Sequence, residues 1–102
     1  MKNLLLTGAS GGIGSEIAQY ASKAGYRVGL IDVDQEKLEQ TQSKIKNSIA
    51  LRADITQERS VLEALQSFGE TPDALINCAG IVRFGGLLEQ EVKDFEDVIN
   101  VN

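Results

Sequence analysis

The chain has no histidine and no tryptophan, and only one cysteine and one proline. Without imidazole there is no histidine acid/base pair, no serine–histidine–aspartate triad and no imidazole metal site. One cysteine builds neither a disulfide framework nor a thiolate cluster, which agrees with a reducing compartment. Basic residues are outnumbered ten to fifteen and form no run, so the net charge of -5 argues against nucleic acid as a partner. Long apolar runs are missing too. The start, Met1-Lys2-Asn3-Leu4-Leu5-Leu6, has the charge and the opening of a signal peptide. Its apolar run stops at Thr7-Gly8, short of the ~7–15 residues required. Nothing approaches the ~20 apolar residues of a membrane span. The expectation is a cytoplasmic protein with no membrane partner.

What is present is a regular alternation of short apolar runs and helix-length segments. With 102 residues and 42% apolar content, one small domain is expected, burying roughly two thirds of the surface the unfolded chain exposes. Leu4-Leu5-Leu6 is a brief apolar run ending at a glycine-rich turn, as a strand buried on both faces would. Ile13, Ile17, Ala21 and Ala24 then recur at helical spacing, with Gly25 in the place of a helix C-cap glycine. Tyr26 to Ile31 reads as the second strand, closed by Asp32. Asp34 is placed to cap a polar helix through about Ile45, anchored by Leu38 and Ile45. Ile49 to Ala53 is the third strand, closing at Asp54. Thr56 is expected to open a helix whose Val61, Leu62, Leu65 and Phe68 line one face, and Thr71-Pro72 breaks it before the fourth strand, Ala74-Leu75-Ile76. A glycine-bearing loop from Ile81 to Leu88 leads to a last helix with Val92, Phe95, Val98 and Ile99 at helical spacing.

Four strand–helix units with little period-two patterning predict an α/β fold: a Rossmann-like, doubly wound parallel sheet with helices on both faces. Right-handed crossovers put strands two and three on one side of strand one and strand four on the other, in the order 3-2-1-4. The ligand crevice then lies at the carboxyl ends of strands one and four. Thr7-Gly8, Asp32, Asp54 and Asn77 fall at strand ends there.

The turn Thr7-Gly8-Ala9-Ser10-Gly11-Gly12-Ile13-Gly14 joins the first strand to the first helix. Its glycines allow positive φ and a close backbone approach, and free amides at the helix start suit a pyrophosphate. A tight strand–helix turn alone also explains such a loop. Asp32 stands eighteen residues after Gly14, near the ~20 expected of the residue that binds an adenosine ribose. Its carboxylate would repel a 2′-phosphate by about 1 to 4 kcal/mol per charge pair near 4 Å. Val33 follows where a basic residue would accommodate that phosphate, and the turn carries no basic residue, so NAD is favoured over NADP. The bland alternative is that Asp32 simply begins the Asp-Val-Asp capping segment. A P-loop is excluded, because Gly14 is followed by Ser15 with no Lys. A methyltransferase using S-adenosylmethionine fits the hydroxyl-rich turn poorly.

With these residues in place, the chain resembles the short-chain dehydrogenase/reductase family along its whole length. The family's TGxxxGxG signature is matched by Thr7, Gly8, Gly12 and Gly14, and its third-strand Asp by Asp54 within Ala53-Asp54-Ile55-Thr56. Its Asn-Asn-Ala-Gly segment appears as Asn77-Cys78-Ala79-Gly80, with one departure, and its helix ending in Val-Asn as Val98 to Asn102. The resemblance implies that Gly8, Ser10, Gly12, Ile13 and Gly14 cradle adenosine and pyrophosphate. It also implies that Asp32, with the uncharged Val33 beside it, meets the ribose. Asp54 would bond the adenine amino group while Ile55 packs on the ring. Asn77, Ala79 and Gly80 would flank the cofactor, Asn77 also tying the sheet together. Asn102 would be the first member of the family's Asn-Ser-Tyr-Lys catalytic set, and Cys78 a small buried thiol. As plain structure, Asp54 is a helix-flanking residue and Asn102 an ordinary asparagine near a helix end.

The resemblance further implies a hydride transfer between nicotinamide and a small-molecule alcohol or ketone, in a homo-oligomer, dimer or tetramer, when full length. Histidine is not missed there, because that chemistry uses Tyr and Lys. Within these residues neither Tyr20 nor Tyr26 has a Lys four positions later; Ala24 and Leu30 stand there. Expected, therefore, is the cofactor-binding amino-terminal part of an oxidoreductase, truncated before its catalytic Ser and Tyr-x-x-x-Lys and inactive by itself. A non-catalytic dinucleotide-binding or regulatory domain is the alternative. The Ile81 to Leu88 loop, with Arg83 and Phe84, lies near the substrate entrance or is a plain surface loop.

Overall fold

The computed structural model describes residues 1–80, 93 and 99–101. The expected Ile81 to Leu88 loop, Asn102 and most of the expected last helix lie outside them, though residues 93 and 99–101 are helical. The elements alternate as β1 (Lys2–Thr7), α1 (Gly12–Lys23), β2 (Tyr26–Asp32), α2 (Gln35–Ser43), β3 (Ser48–Arg52), α3 (Glu58–Phe68) and β4 (Ala74–Asn77). All strand pairs are parallel and the sheet order is β3-β2-β1-β4, as right-handed crossovers require. No described helix is long and apolar enough to cross a membrane.

Side chains of successive strand residues point to opposite faces, so each strand feeds two cores. Leu4, Leu6, Val28 and Leu30 pack with Ala18 and Ala21 of α1 and Leu38 of α2. Leu5, Ile31, Leu51 and Ala53 pack on the other face with Ala64 and Phe68 of α3. Phe68 is 2% exposed. A Cβ on Gly29 would come within 2.6 Å of Leu5 Cδ2 and 3.0 Å of the Phe68 ring, so a glycine in mid-strand makes the hole that the ring fills. Arg27 closes the same corner: its guanidinium lies 4.3 Å from the ring centroid and donates to the Phe68 carbonyl at 3.0 Å.

Helix ends follow local chemistry where the side chains are free to act. Gly25, at φ +96°, ends α1 in the left-handed region. The Asp34 carboxylate accepts from the Lys37 amide at 3.1 Å and caps α2. That helix stops at Ser43, before Ile45, which stays buried in the following turn.

Two expectations for α3 are corrected. Thr56 does not cap it: the cap residue is Gln57, without a side-chain bond, and Thr56 lies in the turn before the helix, its hydroxyl donating to Asp54 Oδ1 at 2.6 Å. The buried face is Ala64 and Phe68, while Leu62 and Leu65 are exposed. The hole over Gly29 sets that rotation. Leu65 instead borders an apolar groove of about 640 Å³ with Pro72 and Leu75. Leu75 lies on β4, the outermost strand on that side among the described residues.

Candidate functional site

The strands end at Thr7, Asp32, Arg52 and Asn77, and the segments that follow β1, β2, β3 and β4 converge at that edge. The first of these, the glycine turn, is held from three sides. The Ala9 amide donates to the Ile31 carbonyl at 3.2 Å, tying the turn to β2. Gly8 takes φ +67°, and a Cβ there would lie 2.7 Å from the Ala79 nitrogen and from the Cys78 carbonyl carbon. A Cβ on Gly14 would fall on the Gly8 carbonyl oxygen, so α1 starts in direct contact with the turn. Gly12 differs: a Cβ there meets nothing within 4 Å.

The start of α1 is electrostatically open. Its N-cap, Gly11, offers no side-chain bond and its first turn carries no acid. By contrast Glu36 and Glu58 stand in the first turns of α2 and α3. The first amides of a helix have no intrahelical acceptor, and with the helix dipole they favour an anion.

Beside this start stands Asp32. Its Oδ2 accepts from the Ser10 amide at 3.1 Å and the Ser10 hydroxyl at 2.5 Å, and its Oδ1 from the Val33 amide at 2.8 Å. Asp54 is fixed in the same manner. Its Oδ1 accepts from the Thr56 hydroxyl at 2.6 Å and the Thr56 amide at 3.0 Å, and its own amide donates to Ser60 Oγ at 2.8 Å. The Thr56 hydroxyl and then its amide hold the Asp54 carboxyl below its ordinary pKa, against an opposing effect of burial and with a lesser contribution from the Arg52 charge. Thr7 links β1 to the end of β4: its Oγ1 accepts from the Cys78 and Ala79 amides, each at 3.2 Å.

A cavity of about 230 Å³ lies where these segments meet, and Gly8, Asp32, Val33, Asp54, Ile55, Ala79 and Gly80 all line it. Ser10 joins the group through its bonds to Asp32. Gly12 and Ile13 are exposed at the helix start and Gly14 is buried behind the turn. Asn77 lines the apolar groove beside α3 and makes no side-chain hydrogen bond among the described residues; the tie across the strands comes from Thr7. Cys78 is half-buried, packed against the α1-side core and open to the cavity. The sequence reading did not single out Gly11 and Ala53 in the lining, nor the Thr7 hydroxyl and Ser60 as supports. Only Thr7 carried a signal, as the first residue of the glycine signature. The arrangement offers free amides for an anion, fixed carboxylates for hydroxyl or amino donors, and an apolar wall for a flat ring.

A family model described as short chain dehydrogenase matches residues 2–102. A CLA biosynthesis dehydrogenase/reductase of Lactiplantibacillus plantarum is 33% identical over 109 residues, 99% of this chain and 38% of the relative. A 3-oxoacyl-(acyl-carrier-protein) reductase of Staphylococcus aureus is 34% identical over 110 residues, 99% of this chain and 44% of the relative. The crystal structure of a short-chain dehydrogenase/reductase from Vibrio parahaemolyticus superimposes with a TM-score of 0.88 at 25% identity, covering 97% of this chain and 46% of that one. The chain thus spans less than half the length of these relatives.

Proposed function

The chain belongs to the short-chain dehydrogenase family, and we propose that these residues are the cofactor-binding half of a nicotinamide-dependent oxidoreductase acting on an alcohol or ketone. The observation that carries this reading is the single cavity in which the glycine turn, Asp32 and Asp54 meet. Its parts fit a dinucleotide. The pyrophosphate would lie over Gly12, where the absent side chain leaves open space, against the uncapped amides of α1. Asp32 would take the adenosine ribose, Asp54 and Ile55 the adenine, and Ala79 and Gly80 would flank the cofactor further along. When bound, the nicotinamide supplies the centre that accepts or donates hydride.

NAD is the preferred form in this reading. A 2′-phosphate at Asp32 meets a carboxylate, and Val33 supplies no compensating charge. The relatives are more than twice as long as this chain, which supports reading residues 1–102 as the amino-terminal part of a larger enzyme; that enzyme being cytoplasmic and a dimer or tetramer rests on the family resemblance alone. The catalytic Ser and Tyr-x-x-x-Lys would then be contributed by further residues, with Asn102 the nearest member of the catalytic set. By themselves these residues would bind the cofactor and turn over no substrate, as a non-catalytic binding domain would. Titration calorimetry of the 102-residue chain with NAD and NADP tests this. The expected result is binding with NAD tighter. No binding of either overturns the reading, and equal affinities overturn the preference. NAD-linked oxidation of an alcohol by this chain would show that its chemistry does not depend on further residues.

A further inference from the structure

A second cavity lies at the amino ends of the strands, the opposite edge of the sheet from the candidate nucleotide site. It opens where α1 runs out towards β2 and α2 towards β3, and measures about 450 Å³. The twelve residues of α1 put about 18 Å between it and the glycine turn. Lys23, Lys44 and Lys46 line it, together with the side-chain amides of Gln19 and Asn47. The chain carries a net charge of -5, yet no carboxylate belongs to this lining. Among the described residues, none of the three lysines has an ion-pair partner. Cations also favour helix carboxyl ends, and Lys23 and Lys44 stand at those of α1 and α2. Each such end carries about half a negative charge, so three ammonium groups still leave the cavity at about +2. Lys46 lies beyond either helix.

The turn that presents Lys44 and Lys46 is pinned on several sides. Ile45, between them, is 7% exposed. Ser22 Oγ donates to the Lys46 carbonyl at 2.6 Å, Ser48 Oγ to the Ile45 carbonyl at 2.7 Å, and the Val28 amide to the Asn47 carbonyl at 2.9 Å. Asn47 takes φ +54°, a left-handed conformation that asparagine adopts more readily than most residues. Three like charges are therefore held around one cavity on a fixed backbone, and an anion seated between them relieves their repulsion. We propose that this cavity binds a di- or triphosphate group, at a site separate from that of the dinucleotide. Ammonium groups are point donors that can approach an anion from several sides, which suits tetrahedral phosphate. Planar carboxylates are matched by the arginine fork, and no arginine lines the cavity. Linked phosphates carry enough charge to meet all three lysines. This site does not depend on the dinucleotide reading.

The test titrates tripolyphosphate into the isotope-labelled chain at low salt, with amide shifts in nuclear magnetic resonance locating the site and calorimetry giving the dissociation constant. Shifts are expected at Lys23 and from Lys44 to Asn47. Shifts confined to Gly11 to Ser15, at the start of α1, would place the anion at the candidate dinucleotide site and overturn the proposal. Lys23→Gln, Lys44→Gln and Lys46→Gln are each expected to weaken binding about threefold to fivefold, and the triple variant about fiftyfold. All three side chains are exposed, so Lys46→Gln is expected to keep the urea midpoint of the wild type. A triple variant that binds like the wild type overturns the proposal, as does a wild type that binds no tripolyphosphate. Hexaglutamate bound as tightly as tripolyphosphate would show recognition of charge alone and overturn the phosphate assignment. A nucleoside triphosphate that shifts the same amides supports the site in either case: tighter binding than tripolyphosphate makes the group nucleotide-borne, and weaker binding makes it a free phosphate chain.

Discussion

Replacing Gly12 by alanine separates what the fold requires of the glycine turn from what a ligand requires. A Cβ at Gly12 meets nothing within 4 Å, and its φ is outside the left-handed region. Gly→Ala at a compatible backbone position reduces the freedom of the unfolded chain, and stabilises by about 0.4–1 kcal/mol. Gly12→Ala is therefore expected to fold at least as well as the wild type. Gly8 and Gly14 behave in the opposite way. At Gly8 a side chain meets backbone atoms at 2.7 Å in a positive-φ conformation, and at Gly14 it falls on the Gly8 carbonyl. Backbone cannot swing aside, so overpacking alone costs about 1–3 kcal/mol, a large share of a total stability of about 5–15 kcal/mol. A dinucleotide bound as proposed would meet the same methyl that the fold ignores. If the pyrophosphate lies over Gly12, the added methyl costs about 1–3 kcal/mol of binding, or roughly 5- to 150-fold in affinity. Urea denaturation and a calorimetric NAD titration on the same preparation read both effects. A Gly12→Ala protein that binds NAD as tightly as the wild type would refute the placement of the cofactor over α1, whatever its stability.

Two further outcomes follow from the supports of the site. Phe68→Ala empties the hole above Gly29 and is expected to destabilise by about 3–5 kcal/mol, read as a lower urea midpoint; a loss under 1 kcal/mol would mean that the ring does not anchor α3. Thr56→Val removes the hydroxyl that chiefly lowers the Asp54 pKa. A carboxyl lowered on folding contributes stability that is fully present above its unfolded value and is lost as pH falls through its folded value. The deficit of Thr56→Val relative to wild type should therefore be largest near neutrality and shrink below about pH 4, and a deficit constant from pH 7 to pH 3 in thermal unfolding would contradict the assignment.

The parts of the fold legible in the sequence are those decided within a few residues. The continuous apolar runs marked all four strands to within a few residues of their ends, Gly25 marked the end of α1, and Asp34 the start of α2. Each depends on a local dihedral or a bond three residues away. The strand order followed from alternation and crossover handedness. Thr56 shows where such reasoning stops. Its residue type suits an N-cap, yet its amide and hydroxyl both donate to the Asp54 carboxylate two residues back, in a turn that precedes the helix. The buried face of α3 was similarly undecided by spacing, because the hole at Gly29 belongs to another element.

For the site, the sequence by itself determined which residues are present and which strand ends carry them: the glycine turn, Asp32, Asp54 and the Asn77 to Gly80 segment. Only the tertiary structure decided how they are used. Ser10 and Asp32 are 22 residues apart, and Thr7 lies 71 and 72 residues from the amides it binds. No periodicity records such pairs, since they form when parallel strands bring their carboxyl ends side by side. The same packing distinguishes Gly8 and Gly14, which the fold requires, from Gly12, which it leaves open. A glycine's purpose depends on what stands where its side chain would be, and that is a fact about neighbours in space.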